Sequence, residues 1–137
     1  MKFYRWLVAA DEIMSVRRNV FVFEQRLGKG MVADTWDHEC EHILVRSCCQ
    51  EPIGCGRLSP RGHVGKIAVA IGHRGAGIGS QILDTLTQKA RSQTFRNVTL
   101  NAEVTLVDFY LQRQFMVDGP VYMKRGIPHQ RLVKYLR

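Results

Sequence analysis

The stretch from residue 67 to residue 83 reads IAVAIGHRGAGIGSQIL and decides the fold. An apolar segment typical of a strand leads into a glycine-rich loop, which opens directly onto the apolar stripe of an amphipathic helix. The unpaired N–H groups and the positive dipole end of such a helix form a binding site for phosphate or pyrophosphate. The sequence therefore predicts an anion-binding strand–loop–helix unit here.

The spacing of the loop residues separates three kinds of phosphate-binding loop. A Walker loop requires Lys and Ser or Thr after its last glycine, whereas Ile78 and Gly79 follow Gly77 here. A dinucleotide fingerprint requires a third glycine where Ser80 stands, and too little chain follows for a doubly wound sheet. The third pattern, R-x-x-G-x-G, is matched by Arg74, Gly77 and Gly79. A glycine-rich turn that merely starts a helix is the structural alternative.

Further predicted elements lie on both sides of this unit. Before it, we expect a strand over 3–8, a helix capped by Asp11, a hairpin of 42–49 and 53–59, and a strand over 64–71. After it, we expect a strand over 98–102, a short helix ending near Phe115, and one or two strands that close with 132–136. This order predicts a mixed α/β chain.

The loop pattern resembles that of the GNAT acetyltransferases, in which it binds the pyrophosphate of CoA. Matches to a small bacterial subgroup span residues 17–129: R-x-x-V-F-x-x-E-Q at 17–25, G-x-G-R at 54–57, L-N-A at 100–102, F-Y at 109–110 and G-I-P-H at 126–129. The resemblance implies the GNAT acyl-CoA N-acyltransferase fold, which is α/β (α+β). It also implies a mixed central sheet of six to seven strands flanked by about four helices.

The resemblance implies transfer of an acetyl group from acetyl-CoA to a primary amine. It assigns the cosubstrate to the strand and the loop, at Ile67, Ala68, Val69, Arg74, Gly75, Ala76, Gly77, Ile78, Gly79 and Ser80. Tyr110 stands at the family's position for the general acid that protonates the leaving thiolate. From the residues alone, Tyr110 is equally an aromatic core residue of an amphipathic helix.

The sequence offers several candidates for the general base and does not single out one of them. Gly65 stands where many superfamily members carry a glutamate. Because a free imidazole titrates near neutral pH, His42 and His129 are base candidates, with Glu24 and Glu103 as carboxylate alternatives.

Three side chains are candidates for the acceptor side of the site, namely Arg17, Glu24 and Glu103. Arg17 and Glu24 are seven residues apart and are expected on one helix face, in the acceptor pocket or as an ion pair. The acceptor class stays open between a small-molecule and a peptide amine. Two other functions also stay open: a non-catalytic acetyl-CoA sensor and an enzyme like the acyl-homoserine-lactone synthases.

Length, composition and charge narrow the remaining classes of function. A chain of 137 residues with 45% hydrophobic residues predicts one domain over 1–137. The net charge of +8 is scattered, which favours a basic surface that attracts polyanionic CoA over nucleic-acid binding. With no membrane-spanning or signal segment, we expect a cytoplasmic protein, and a homodimer stays open. The four cysteines lack zinc-site spacing, so we expect free thiols and no metal.

Overall fold

Two four-stranded sheets form the framework of the protein. The computed structural model describes residues 1–28 and 32–137, and the side chains of Phe23 and Glu24 lie outside this description. The strands are β1 (Lys2–Arg5), β2 (Glu41–Arg46), β3 (Pro52–Leu58), β4 (Val64–Val69), β5 (Asn97–Glu103), β6 (Met116–Val117), β7 (Tyr122–Lys124) and β8 (Ile127–Tyr135). The first sheet has the order β1-β2-β3-β4, and in the second β8 pairs with β5, β6 and β7.

Three α-helices connect and cover the sheets: α1 (Trp6–Arg17), α2 (Ile78–Ser92) and α3 (Val107–Leu111). A π-helix, Arg18–Glu24, continues α1, and single 3-10 turns occupy Thr35–Glu39, Ile71–His73 and Val104–Leu106. The prediction of a mixed α/β fold is confirmed. The expected six to seven strands and four helices are corrected to eight strands and three α-helices within the described residues.

Helix α2 packs against one face of the first sheet. Its apolar stripe was predicted from the helical period, and Ile82, Leu83, Leu86 and Ala90 are all buried in one core cluster. The helix lies so close to β3 that a Cβ atom at Gly56 would stand 2.9 Å from Ile82 Cγ2. Glycine at position 56 therefore sets the distance between α2 and the sheet.

Helix α1 covers the opposite face. Trp6, Ile13 and Val16 pack there against Leu44, Cys55 and Ala68 of the sheet. The sequence predicted a strand to residue 8 and a helix after Asp11, but β1 ends at Arg5 and α1 begins at Trp6. Ala9 has non-helical dihedrals, φ −126° and ψ 15°, where a first helical turn joins the expected helix at a kink.

The hairpin of β2 and β3 is confirmed, but its first strand is shorter than predicted. β2 ends at Arg46, and Cys48 and Cys49 lie in the turn that follows rather than in the strand predicted over 42–49. Their Sγ atoms are 3.9 Å apart, and both residues are exposed. Cys40 and Cys55 are buried, and all four cysteines are free thiols.

The two sheets meet at β4 and β5. A parallel bridge joins His63 to Thr99, and the Thr99 N–H donates to Gly62 O at 3.0 Å. Beyond this bridge, no pairing between β4 and β5 occurs within residues 1–28 and 32–137, so the strands diverge. Lys66 has φ +48° next to a register shift between Cys55 and Arg57, and this bulge bends β4 away from a flat ladder. The candidate active site lies in this opening between β4 and β5.

Candidate active site

Two cavities lie in the opening between β4 and β5. The first, about 540 Å³, is bounded by the glycine-rich loop, the start of α2 and β4. The second, about 420 Å³, is bounded by β4, β5 and the β7–β8 hairpin. Gln25, Ile67, Leu106 and Tyr110 line both cavities. The two cavities are therefore neighbours, with Tyr110 at their junction.

The start of α2 supplies backbone donors to the first cavity. Gly75 and Gly77 have φ of +83° and +79°, which an L side chain rarely adopts. The hydrogen bond from Gln81 N to Gly77 O, at 3.0 Å, belongs to the first helical turn. The N–H groups ahead of Gln81 have no acceptor within the helix, and Gly77 provides no side-chain cap. This turn can hold a phosphate group.

Nine of the ten predicted cosubstrate residues line this first cavity. They are Ile67, Ala68, Val69, Arg74, Gly75, Gly77, Ile78, Gly79 and Ser80. Ala76 does not line it and is exposed on the loop. Arg74 Nε donates to Val69 O at 2.9 Å, which fastens the loop to the end of β4.

The free edge of β4 forms a wall between the cavities. β3 pairs with the other edge, where Ala68 is opposite Cys55 and Val69 is opposite Gly54. On the free edge, the described residues offer no strand partner beyond the bridge at His63. An extended ligand can therefore pair with this backbone as an added strand.

Tyr110 is half-buried on α3, where its ring packs edge-on against Phe109 and Phe115 with centroids at 5.1 Å and 5.7 Å. Burial raises the pKa of its phenol, and the nearby Arg113 partly offsets this rise. Tyr110 thus both packs in the core and reaches the two cavities, so the two interpretations from sequence are compatible.

Arg113, which the sequence did not single out, links α3 to the start of α2. Its Nη2 donates to Ser80 Oγ at 2.9 Å and its Nη1 to Phe109 O at 3.0 Å. The guanidinium also lies 3.6 Å from the centroid of the Phe109 ring. These contacts hold the Tyr110 helix against the first turn of α2.

His129 and Glu103 line the second cavity from neighbouring strands, as opposite residues of the β5–β8 ladder. His129 Nδ1 lies 2.8 Å from Ile127 O, and the ring stacks on Tyr122 at 5.9 Å. A carbonyl accepts but does not donate, so Nδ1 carries the proton of the neutral ring and Nε2 keeps its lone pair. His129 can therefore accept a proton in this cavity.

Known proteins resemble this chain over most of its length. Residues 15–136 match the family described as acetyltransferase (GNAT) domain. The chain belongs to the GNAT acetyltransferases. A Bacillus subtilis protein described as an uncharacterized N-acetyltransferase, YjcF, is 33% identical over 123 residues, which cover 87% of each chain.

Solved structures agree with the family assignment. An acyl-CoA N-acyltransferase from Pseudomonas aeruginosa superposes with a TM-score of 0.87 at 23% identity, covering 97% of each chain. An aminoglycoside 6'-N-acetyltransferase complexed with coenzyme A superposes with a TM-score of 0.74 at 13% identity, covering 98% of this chain and 97% of the other. This GNAT chain therefore has the acyl-CoA N-acyltransferase fold.

The structure removes His42 from the candidate bases. Its ring is fully buried, contacts Trp6, and places Nε2 at 2.8 Å from Asp37 O. Burial lowers the pKa of His42, and the residue lines neither cavity. A ring in the core cannot take a proton from an amine bound in the opening.

Arg17 is likewise not an acceptor-side residue. It is completely buried and donates to both carboxylate oxygens of Asp37, at 2.9 Å and 3.0 Å. Glu24, expected on the same helix face, ends the π-helix Arg18–Glu24 that follows Arg17. The Glu24 side chain lies outside the described residues. Of the two interpretations of Arg17, the structure supports the ion pair.

The ion pair belongs to a larger charged cluster that reaches the second cavity. Arg57 Nη1 donates to Asp34 at 2.7 Å and to Asp37 at 2.8 Å, and Lys66 lies 3.4 Å from Asp34. Burial alone would raise the pKa of Asp34, but Arg57 and Lys66 lower it to about 2. Asp34, Arg57 and Lys66 all line the cavity. Arg57 belongs to the G-x-G-R motif at 54–57, whereas no motif of the sequence marks Lys66.

The described residues contain no group of three or more His, Cys, Asp or Glu side chains placed to hold a metal ion. They also contain no helix with the length and hydropathy that crossing a bilayer requires.

Proposed function

We propose that this GNAT chain transfers an acetyl group from acetyl-CoA to the primary amine of a small molecule or peptide. One observation carries the proposal: Tyr110 lies where the cavity of the glycine-rich loop meets the cavity that contains His129. A proton donor at the junction of two binding cavities suits a group transfer between two substrates.

The residues of the first cavity fit CoA. The open turn at Gly75 and Gly77 suits a pyrophosphate, because a Cβ atom at either position would meet no atom within 4 Å. The free edge of Ile67–Val69 suits the amide groups of pantetheine, which pair with a strand backbone. A related fold with coenzyme A bound supports the same assignment. When bound, acetyl-CoA supplies an activated thioester.

The residues around the junction have separate tasks. His129 Nε2 accepts the proton of the acceptor ammonium, directly or through water, and leaves a neutral amine. An N–H group of the free β4 edge holds the thioester oxygen; such a preorganised donor contributes about 3 kcal/mol. The neutral amine attacks the thioester carbon, and Tyr110 donates its proton to the departing sulfur as the C–S bond breaks. The surplus proton of the new amide nitrogen then restores the phenol of Tyr110. Glu103, opposite His129, remains a carboxylate alternative for the base.

Turnover and binding test the proposal together. Purified protein is mixed with acetyl-CoA and a panel of amines, and thiol release is recorded while calorimetry measures CoA binding. We expect CoA binding with saturable, amine-dependent thiol release. CoA binding with no turnover of any amine would support the sensor function instead, and the absence of any heat on CoA titration would overturn the assignment of the first cavity.

Tyr110→Phe should lower turnover by about 100-fold and change the Kd for CoA by less than about twofold. Because the pKa of Tyr110 is raised, the wild-type phenol keeps its proton as the pH rises towards 10. The loss in the variant should therefore persist through the neutral and alkaline range. The rate of thiol release from pH 6 to pH 9.5 measures this effect.

Tyr135→Phe is the matched control, because Tyr135 is 60% exposed and lies on β8 outside both cavities. It should behave as wild type. Full activity in Tyr110→Phe would exclude Tyr110 from the proton transfer.

Other properties stay predictions. We expect a cytoplasmic protein that forms one domain over residues 1–137 and binds neither nucleic acid nor membranes. A homodimer stays open.

A further inference from the structure

The floor of the second cavity has a gap between two polar side chains. Gly65 on β4 is the partner of Arg57 on β3, close to the bridge at His63. A Cβ atom at Gly65 would stand 3.9 Å from Arg57 Nε and 3.9 Å from His63 Cδ2. The space next to both side chains is therefore open to the cavity, which all three residues line.

Arg57 presents one edge of its guanidinium towards this gap. Its Nη1 donates to Asp34 and Asp37. Within the part of the chain that the structure describes, its Nε and Nη2 make no hydrogen bond, and the side chain is 13% exposed. The Nε–Nη2 edge of arginine binds a carboxylate through two parallel hydrogen bonds.

Cationic side chains surround the gap, beside the carboxylates of Asp34 and Asp37 that Arg57 already contacts. His63 Nδ1 lies 3.0 Å from Thr99 Oγ1, which fixes the ring at the floor. Burial lowers the pKa of His63, and the charges of Arg131, Arg57 and Lys124 lower it further. Lys124, on the opposite wall, also lines the cavity and is exposed. An anion bound at this floor would meet cations from both sheets.

We propose that the acceptor is a small amine that also carries a carboxylate, which Arg57 binds at the floor beside Gly65 and His63. This inference rests on the proposed function. The carboxylate lies at the closed end of the opening, and the amine points towards Tyr110 and His129. A cavity of about 420 Å³ suits a molecule of amino-acid or dipeptide size.

Matched acceptor pairs test the inference. The panel contains glycine, β-alanine, 4-aminobutyrate and 6-aminohexanoate, each compared with its carboxamide. The pH is chosen for each compound so that the fraction of neutral amine is equal, because the amine pKa differs within each pair. For at least one chain length, we expect kcat/KM for the carboxylate to exceed that for the amide by about tenfold or more, mainly through KM. Calorimetry on the CoA-saturated protein with the same pairs gives a readout that needs no turnover.

Two variants at position 65 separate charge from bulk. Gly65→Glu places a carboxylate in the gap without removing Arg57 from its contacts with Asp34 and Asp37. Gly65→Gln adds a side chain of the same size without the charge. The preference is the ratio of kcat/KM for the carboxylate to kcat/KM for its amide. We expect this ratio to be about tenfold lower in the Glu variant than in the Gln variant.

The outcomes for the two proposals are distinct. Acetylation of acids and amides with equal kcat/KM would overturn the carboxylate subsite and leave the acetyltransferase intact. If no amine is acetylated, the proposed function fails, while calorimetry still decides whether Arg57 binds carboxylates. Equal losses in the Glu and Gln variants would also overturn the subsite, because bulk alone would explain them.

Discussion

Gly77→Asp should weaken CoA binding by about 100-fold or more. The new carboxylate would stand at the start of α2, where the proposed pyrophosphate binds. Two like charges about 4 Å apart repel by about 4 kcal/mol near a protein surface, and part of this is screened by salt. A 100-fold increase in Kd corresponds to about 2.7 kcal/mol.

Gly77→Asn is the matched control. Asn has the size of Asp, tolerates positive φ, and carries no charge. Both variants impose the same backbone strain at φ +79°, and a Cβ atom at this position meets no atom within 4 Å. We therefore expect the Asn variant to lose less than about tenfold in affinity.

Calorimetry at two salt concentrations measures both variants, with far-ultraviolet circular dichroism to verify the fold. The difference between Asp and Asn should shrink at high salt, because the repulsion is electrostatic. If the two variants bind CoA equally, the negative group of the ligand does not lie at this turn.

The strand–loop–helix unit could be predicted because local sequence determines it. Glycine has a strong effect on backbone conformation, and the apolar period of α2 determines which face of the helix packs in the core. Nine of the ten residues that the GNAT resemblance assigns to the cosubstrate line one cavity, since they lie close together along this unit. Ala76 does not line the cavity because it is exposed to solvent in the loop. The spacing of residues in the sequence does not indicate this exposure.

The second cavity could not be predicted because distant segments build it. His63, just before β4, and Lys124, on β7, are far apart in the chain and are not part of a recognisable motif. The same reason explains the errors at His42 and Arg17, whose burial depends on how α1 packs across the sheet. A histidine in a strand and an arginine in a helix carry no local signal of burial.

Asp37→Asn should destabilise the fold by about 3–5 kcal/mol, a large part of the 5–15 kcal/mol typical of a domain. Asp37 is fully buried and accepts hydrogen bonds from Arg17, Arg57 and the Asp34 N–H. The neutral amide would leave the buried charge of Arg17 without its carboxylate partner. Thermal unfolding should show a midpoint lowered by more than about 10 °C.

Glu12→Gln is the control, because Glu12 forms the same two-point contact with Arg46 at 2.8 Å and 2.8 Å. These side chains are 37% and 26% exposed, so water replaces the lost contact and the midpoint should barely change. Equal effects of the two substitutions would mean that burial does not determine the contribution of Asp37.

The pH dependence gives a second readout of the Asp37 substitution. Burial raises the pKa of Asp37, but hydrogen bonds from Arg17, the Asp34 backbone and Arg57 more than offset this and hold the pKa below its usual range. A lowered folded-state pKa stabilises the protein above the unfolded value of about 3.9, and this contribution disappears as the pH falls through the folded-state pKa. The difference in unfolding free energy between wild type and Asp37→Asn should therefore be full at pH 7 and shrink below about pH 4. A difference that stayed constant down to pH 2 would show that lost packing, rather than the charge of Asp37, causes the destabilisation.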